Sequence, residues 1–183
     1  MSRVPYLSRE ELPEGKRAIA DQIASRRGRV ERPFQALLNS PELAGKVAAV
    51  GEHLRFHAST LPPQAREIAT LATARELKSQ YIWSRHVPLA RDAGVREEVV
   101  KALRDGTPVR RLLPKEGVFA QFAQELLRDR KLRDATYGAV EHLLGRQGTV
   151  DLVVTVAYYA LLAYVMHALE VELEPEFPPL LPQ

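Results

Sequence analysis

The chain carries one tryptophan, five histidines and no cysteine, and its most promising chemical groups fall in one short stretch. Glu67 lies in Glu67-Ile-Ala-Thr-Leu-Ala-Thr-Ala-Arg-Glu-Leu-Lys78, and Trp83 and His86 follow in Ser79-Gln-Tyr-Ile-Trp-Ser-Arg-His-Val-Pro88. On a helix, Ser79, Ile82, Trp83 and His86 stand at i, i+3, i+4 and i+7 and share one stripe. Trp83 then packs beside His86 and reduces its contact with water. If the helices on either side of Ser79 fold back as an antiparallel hairpin, Glu67 approaches His86. Such a carboxylate–imidazole pair suits general acid–base chemistry near neutral pH. Arg85 or Arg66 is placed to hold a substrate carboxylate, and the sequence does not choose between them.

Each of these residues also has an ordinary structural reading. His86 can bond a backbone carbonyl in a core, and Glu67 can pair with Arg66 or Arg75, as helix glutamates commonly do. Glu76 competes with Glu67 for the site. Trp83 reads first as core and second as a pocket wall. Ser79 reads as a helix cap with a secondary place in substrate binding, because no base is suggested beside it. His53 and His57, four apart, make at most half a metal site, and no third ligand is evident. No metal is therefore expected. His167 reads as the donor or acceptor of a buried bond.

The elements that must position these groups are helices. Pro13 opens a helix that Gly28 ends, Pro33–Leu38 forms a short one, and Ser40-Pro41 starts another running towards His57. Pro62-Pro63 breaks the chain before a helix over 64–78. Ser79 caps the next, over 80–93, which Gly94 closes. Further helices cover 96–105, 117–129, 133–144 and 149–171, with a loop over 107–115 and an extended proline-broken tail over 172–183. No stretch alternates with period two, so the fold class is all-α, one domain over 1–183 with its core at about 30–170.

Bulk properties narrow the function classes. A chain of 183 residues is long enough to bury a proper core without disulfides or metal. The formal net charge is only +3, and the basic runs Arg26-Arg27-Arg29 and Arg128-Arg130-Lys131-Arg133 are interrupted, so no nucleic-acid partner is expected. Without cysteine there is no disulfide, thiolate metal site or thiol nucleophile. The polar start, Met-Ser-Arg-Val-Pro, does not read as a secretory signal, which points to a cytoplasmic protein. The apolar run from Leu152 to Leu169 has nearly the length of a membrane span, but it carries Thr155, three tyrosines and His167. It reads as a helix buried all round, in a domain or an oligomer core, with no membrane partner.

With these residues in view, the chain resembles the carboxymuconolactone decarboxylase and alkylhydroperoxidase-D-like (AhpD-like) superfamily, over about residues 30–170 and most strongly from Pro62 to Gly94. The peroxidase branch has a glutamate, a gap, then Cys-x-x-Cys-x-x-x-His. Those positions fall here on Glu67, Ser79, Ile82 and His86, so both thiols are replaced. The resemblance implies an all-helical, homo-oligomeric protein (dimer, trimer or hexamer) with sites near subunit contacts. It leaves the decarboxylase type of chemistry, because serine and isoleucine form neither a sulfenic acid nor a disulfide. The expectation is a cofactor-free lyase or isomerase acting on a small carboxylate or lactone. His86 is its acid–base residue, Glu67 its base or orienting partner, and Trp83, Ser79 and Arg85 its substrate contacts. The rival is a non-catalytic helical ligand-binding or scaffold protein that kept the fold.

Overall fold

The structure, a computed structural model, describes residues 2–57, 60–108 and 112–182. Among them every regular element is helical, as the sequence predicts. The chain divides into two compact units, 1–59 with 164–174 and 60–163 with 175–183.

In the first unit, a 3₁₀ turn (Glu14–Lys16) leads into α1 (Arg17–Arg27), which ends on Gly28 at φ 78°. Then come α2 (Arg32–Leu37), α3 (Pro41–Glu52) and a π-helical turn (His53–His57). Ser40 occupies the predicted cap position of α3, but its side chain makes no capping bond, and Pro41 at the first helical position sets the start instead. Gly45 lets α3 approach α1, since a Cβ there would meet Ile19 at 3.2 Å. His53 is exposed, and the side chain of His57 lies outside the described residues. His167, expected to be buried, is exposed, in the last turn of the longest helix.

The second unit is built around α4 (Pro63–Glu76). Nine of its residues are buried: Ala65 and the unbroken run Glu67–Ala74. The alanines and threonines among them let α5 (Gln80–Asp92), α6 (Glu97–Asp105) and α7 (Pro114–Arg128) pack on several sides. The threonines of the run stay satisfied, Thr70 donating to the Arg66 carbonyl at 2.9 Å and Thr73 to that of Ala69 at 2.8 Å. α7 starts earlier than the predicted residue 117 because Pro114 fits the first helical position.

The last helical span, α8 (Asp134–Leu169), is two helices that meet at a kink at Gly145 (φ 68°, ψ 176°), in keeping with the separate predicted segments 133–144 and 149–171. By length and composition it could cross a membrane, and 44% of its most apolar 18-residue stretch is buried in the protein. It is not covered all round, as its composition had suggested. Leu152, Val156, Tyr159 and Ala163 form a buried stripe, whereas Val150, Val154 and Leu161 lie on another face, 56%, 37% and 43% exposed. The cause is helical period: an apolar sequence fills both faces, but one set of neighbours covers only one.

Candidate active site

The turn between α4 and α5 brings the site residues together. α4 ends with Lys78 in the left-handed region at φ 51°, a position that glycine usually takes, and the Ser79 amide donates back to the Ala74 carbonyl at 2.8 Å. Ser79 then caps α5 by accepting from the Ile82 amide at 3.4 Å. At the far end, the Gln64 side chain donates to the Gly94 carbonyl at 2.9 Å, so the two helices run antiparallel along their length.

Across this hairpin, Glu67 Oε2 and His86 Nδ1 stand 2.7 Å apart. The other carboxylate oxygen, Oε1, accepts from Arg66 Nε at 3.1 Å. Both members are buried, Glu67 at 1% exposure and His86 at 6%. Burial by itself pushes the Glu67 carboxyl up, but His86 and Arg66 together outweigh it and hold the pKa below the ordinary carboxylate value. Glu67 is therefore an ionised acceptor, which favours a proton on Nδ1 in this contact and leaves Nε2 outside it.

A third element completes the setting. The Tyr159 ring of α8 meets His86 edge-to-face, with centroids 4.8 Å apart and planes at 81°, and Tyr158 backs Tyr159 at 5.3 Å. Sequence reasoning missed Tyr159, which lies beyond the reach of any local spacing rule; the only hint was aromatic residues inside an otherwise aliphatic run.

The remaining candidates are placed as follows. Trp83, 1% exposed, belongs to the core, and Ser79, also 1%, serves as the cap. Arg85 lies with its guanidinium 4.0 Å from the centroid of Phe177. Arg66 is engaged by Glu67. Glu76 is out of the site, in a two-pronged pair with Arg128 whose Nε–Oε2 distance is 2.7 Å. Among the described residues no group of three histidines and carboxylates converges as a metal site would require.

Residues 41–125 match the model of the carboxymuconolactone decarboxylase family. Over that span, 85 of the 183 residues, the chain is similar to this family. The matched span runs from the start of α3 into α7, so it holds Glu67 and His86 but not Tyr159. Two crystal structures share the fold. One is an uncharacterized peroxidase-related protein with an alkylhydroperoxidase AhpD core from Ralstonia eutropha JMP134. It has a TM-score of 0.77 and 18% identity over 96% of this chain and 93% of that one. The other is an uncharacterized peroxidase-related protein from Silicibacter sp. TM1040, with a TM-score of 0.76 and 16% identity over 96% and 93%. No curated protein matches the sequence. This AhpD-like chain has no sulfur nucleophile at its hairpin: Ser79 is a cap and Ile82 a core residue, 2% exposed.

Proposed function

We propose that this carboxymuconolactone decarboxylase-like domain is a cofactor-free lyase or isomerase that acts in the cytoplasm on a small carboxylate or lactone acid. The observation that carries the reading is the buried Glu67–His86 contact at 2.7 Å. Glu67 fixes the ring through Nδ1, and Nε2 handles the substrate proton. In a decarboxylation, the bond to the carboxylate carbon breaks and carbon dioxide leaves. The bond's electron pair enters the conjugated lactone, and the reacting carbon takes a proton from Nε2 of the imidazolium form of His86, which leaves the ring neutral with its proton on Nδ1. Solvent then returns a proton to the imidazole, so the cycle needs no redox partner. Turnover of 4-carboxymuconolactone and related lactone acids by the wild type and His86→Ala tests this. Loss of activity in the variant supports the reading, and equal rates remove His86 from catalysis.

One observation favours a second reading, a non-catalytic helical protein that kept the fold. Glu67 and His86 are nearly sealed, at 1% and 6% exposure. A wild type inert towards every lactone acid, with a small acid binding elsewhere, would establish it.

The same proposal includes self-association. The exposed apolar residues Val150, Val154, Ala157 and Leu161 repeat at intervals of four, three and four, the spacing of a seam packed against another helix. A second copy of this chain is the occupant we assign to it. Leu161→Glu should lower the mass measured by light scattering at micromolar concentration, and an unchanged monomeric mass in the wild type removes the assignment.

A further inference from the structure

The outer face of α5 does something that neither the Glu67–His86 pair nor packing requires. Gln80 and Ser84, four apart on that face, grip the backbone of the C-terminal tail. In the orientation that satisfies both ends of its amide, Gln80 donates from its nitrogen to the Leu181 carbonyl at 2.8 Å. Its oxygen accepts from the Leu181 amide at 3.1 Å and the Leu180 amide at 2.7 Å. The Ser84 hydroxyl donates to that same oxygen at 2.8 Å and accepts from the Leu180 amide at 3.0 Å. One amide side chain thus pairs with both the N–H and the C=O of a single residue, as a neighbouring strand would. That is recognition of extended backbone, not of a particular side chain.

The tail is suited to being held this way. Pro178, Pro179 and Pro182 lack an N–H and confine the chain to extended forms, so docking orders little that was free before. The two residues of 178–182 that do have an N–H, Leu180 and Leu181, both direct it to α5. Specificity comes from two side chains. Leu181 is buried at 6% exposure, and the Phe177 ring lies under the Arg85 guanidinium at 4.0 Å.

We propose that this face of α5 is a binding site for an extended, proline-rich peptide with an aromatic residue four positions before a leucine, and that residues 177–181 are its resident ligand. The tail is a latch on the helix that carries His86. While it is closed, Arg85 faces Phe177; when it opens, Arg85 loses that ring and its guanidinium is more exposed to an anion. Only that last consequence rests on the proposed function, together with the expectation from the sequence that Arg85 is a substrate contact.

The test is hydrogen exchange at the Leu180 and Leu181 amides of the full-length protein, which needs no substrate and so fails independently of the lyase reading. Both amides should exchange at least about tenfold more slowly than in a free peptide of residues 175–182, as expected for hydrogen-bonded amides in a locally ordered segment. Gln80→Ala should bring them to the free-peptide rate while the α4 amides stay protected. Millimolar free peptide added to the wild type should speed their exchange by competing for the clamp. Free-peptide rates in the wild type, or protection unchanged in Gln80→Ala, overturn the proposal. If Gln80→Ala loses helicity, Leu181→Asp asks the same question from the tail. There, a rise in glyoxal modification of Arg85 supports the latch and unchanged modification overturns it.

Discussion

Glu67 and His86 are nineteen residues apart in the chain and 2.7 Å apart in space, joined across a hairpin whose turn is only three residues, Leu77–Ser79. A buried carboxylate locked on one imidazole nitrogen commits the other nitrogen to whatever chemistry the site performs. In the proposed function Glu67 therefore acts through His86, as a positioning residue. Glu67→Gln should lower kcat on a turned-over lactone acid by roughly 10–100-fold, taking as a guide the effect of removing partners that orient metal-bound histidines. KM should change little and the pH profile of kcat should shift. Steady-state kinetics across pH 5–9 checks all three.

Stability should report the same contact. The folded-state pKa of Glu67 lies below its ordinary value of 4.5, so the ionised carboxylate stabilises the fold fully above that pH. The contribution is lost as pH falls below 4.5 through the lowered folded value. In urea titrations, the gap between wild type and Glu67→Gln should therefore be widest near neutrality and close towards acid. Glu67→Ala should cost about 3–5 kcal/mol at pH 7, because His86 and Arg66 lose their buried partner. A gap independent of pH would show that the carboxylate's charge is not what stabilises.

Tyr159 tests whether the ring or the hydroxyl matters to His86. The edge-to-face geometry assigns the role to the ring. An aromatic pair of this kind contributes about 0.5–1.5 kcal/mol beyond its buried area. Tyr159→Phe should keep most of the stability and leave the His86 imidazole NMR resonances nearly in place, whereas Tyr159→Leu should lose stability and move them.

Ser79 falls at the first thiol of the peroxidase motif that the sequence resembles, and here it caps α5. Ser79→Ala should cost about 0.5–1 kcal/mol, the low end of the range for a lost cap because the bond is long at 3.4 Å. Ser79→Gly should cost only a few tenths, by the same rule for caps. Thermal melts of the two variants decide it, and a large loss of turnover at unchanged stability would give the hydroxyl a chemical role instead.

Gly148 lies inside α8, where helix propensity alone favours alanine. A Cβ there would stand 2.8 Å from Leu144 Cβ, closer than real contacts allow. Gly148→Ala should therefore destabilise by about 1–3 kcal/mol, as overpacking does, and the sign of the change in melting temperature settles it.

The sequence by itself determined the helices, most of their ends and the absence of thiol chemistry. Period, proline starts and glycine stops act within one or two turns, and a residue type that is missing cannot be supplied by folding. It also placed Ser79, Trp83 and His86 on one stripe, because spacing along a helix is fixed by its pitch. Tertiary structure decided the rest. It chose Glu67 over Glu76 as the partner of His86, since only one lies in register across the hairpin and the other is drawn outward by Arg128. It brought Tyr159 from α8 against the imidazole and the tail against Gln80, contacts separated by too much chain for any local rule. It also left one face of α8 uncovered, because composition sets how apolar a helix is, while its neighbours set which side is buried.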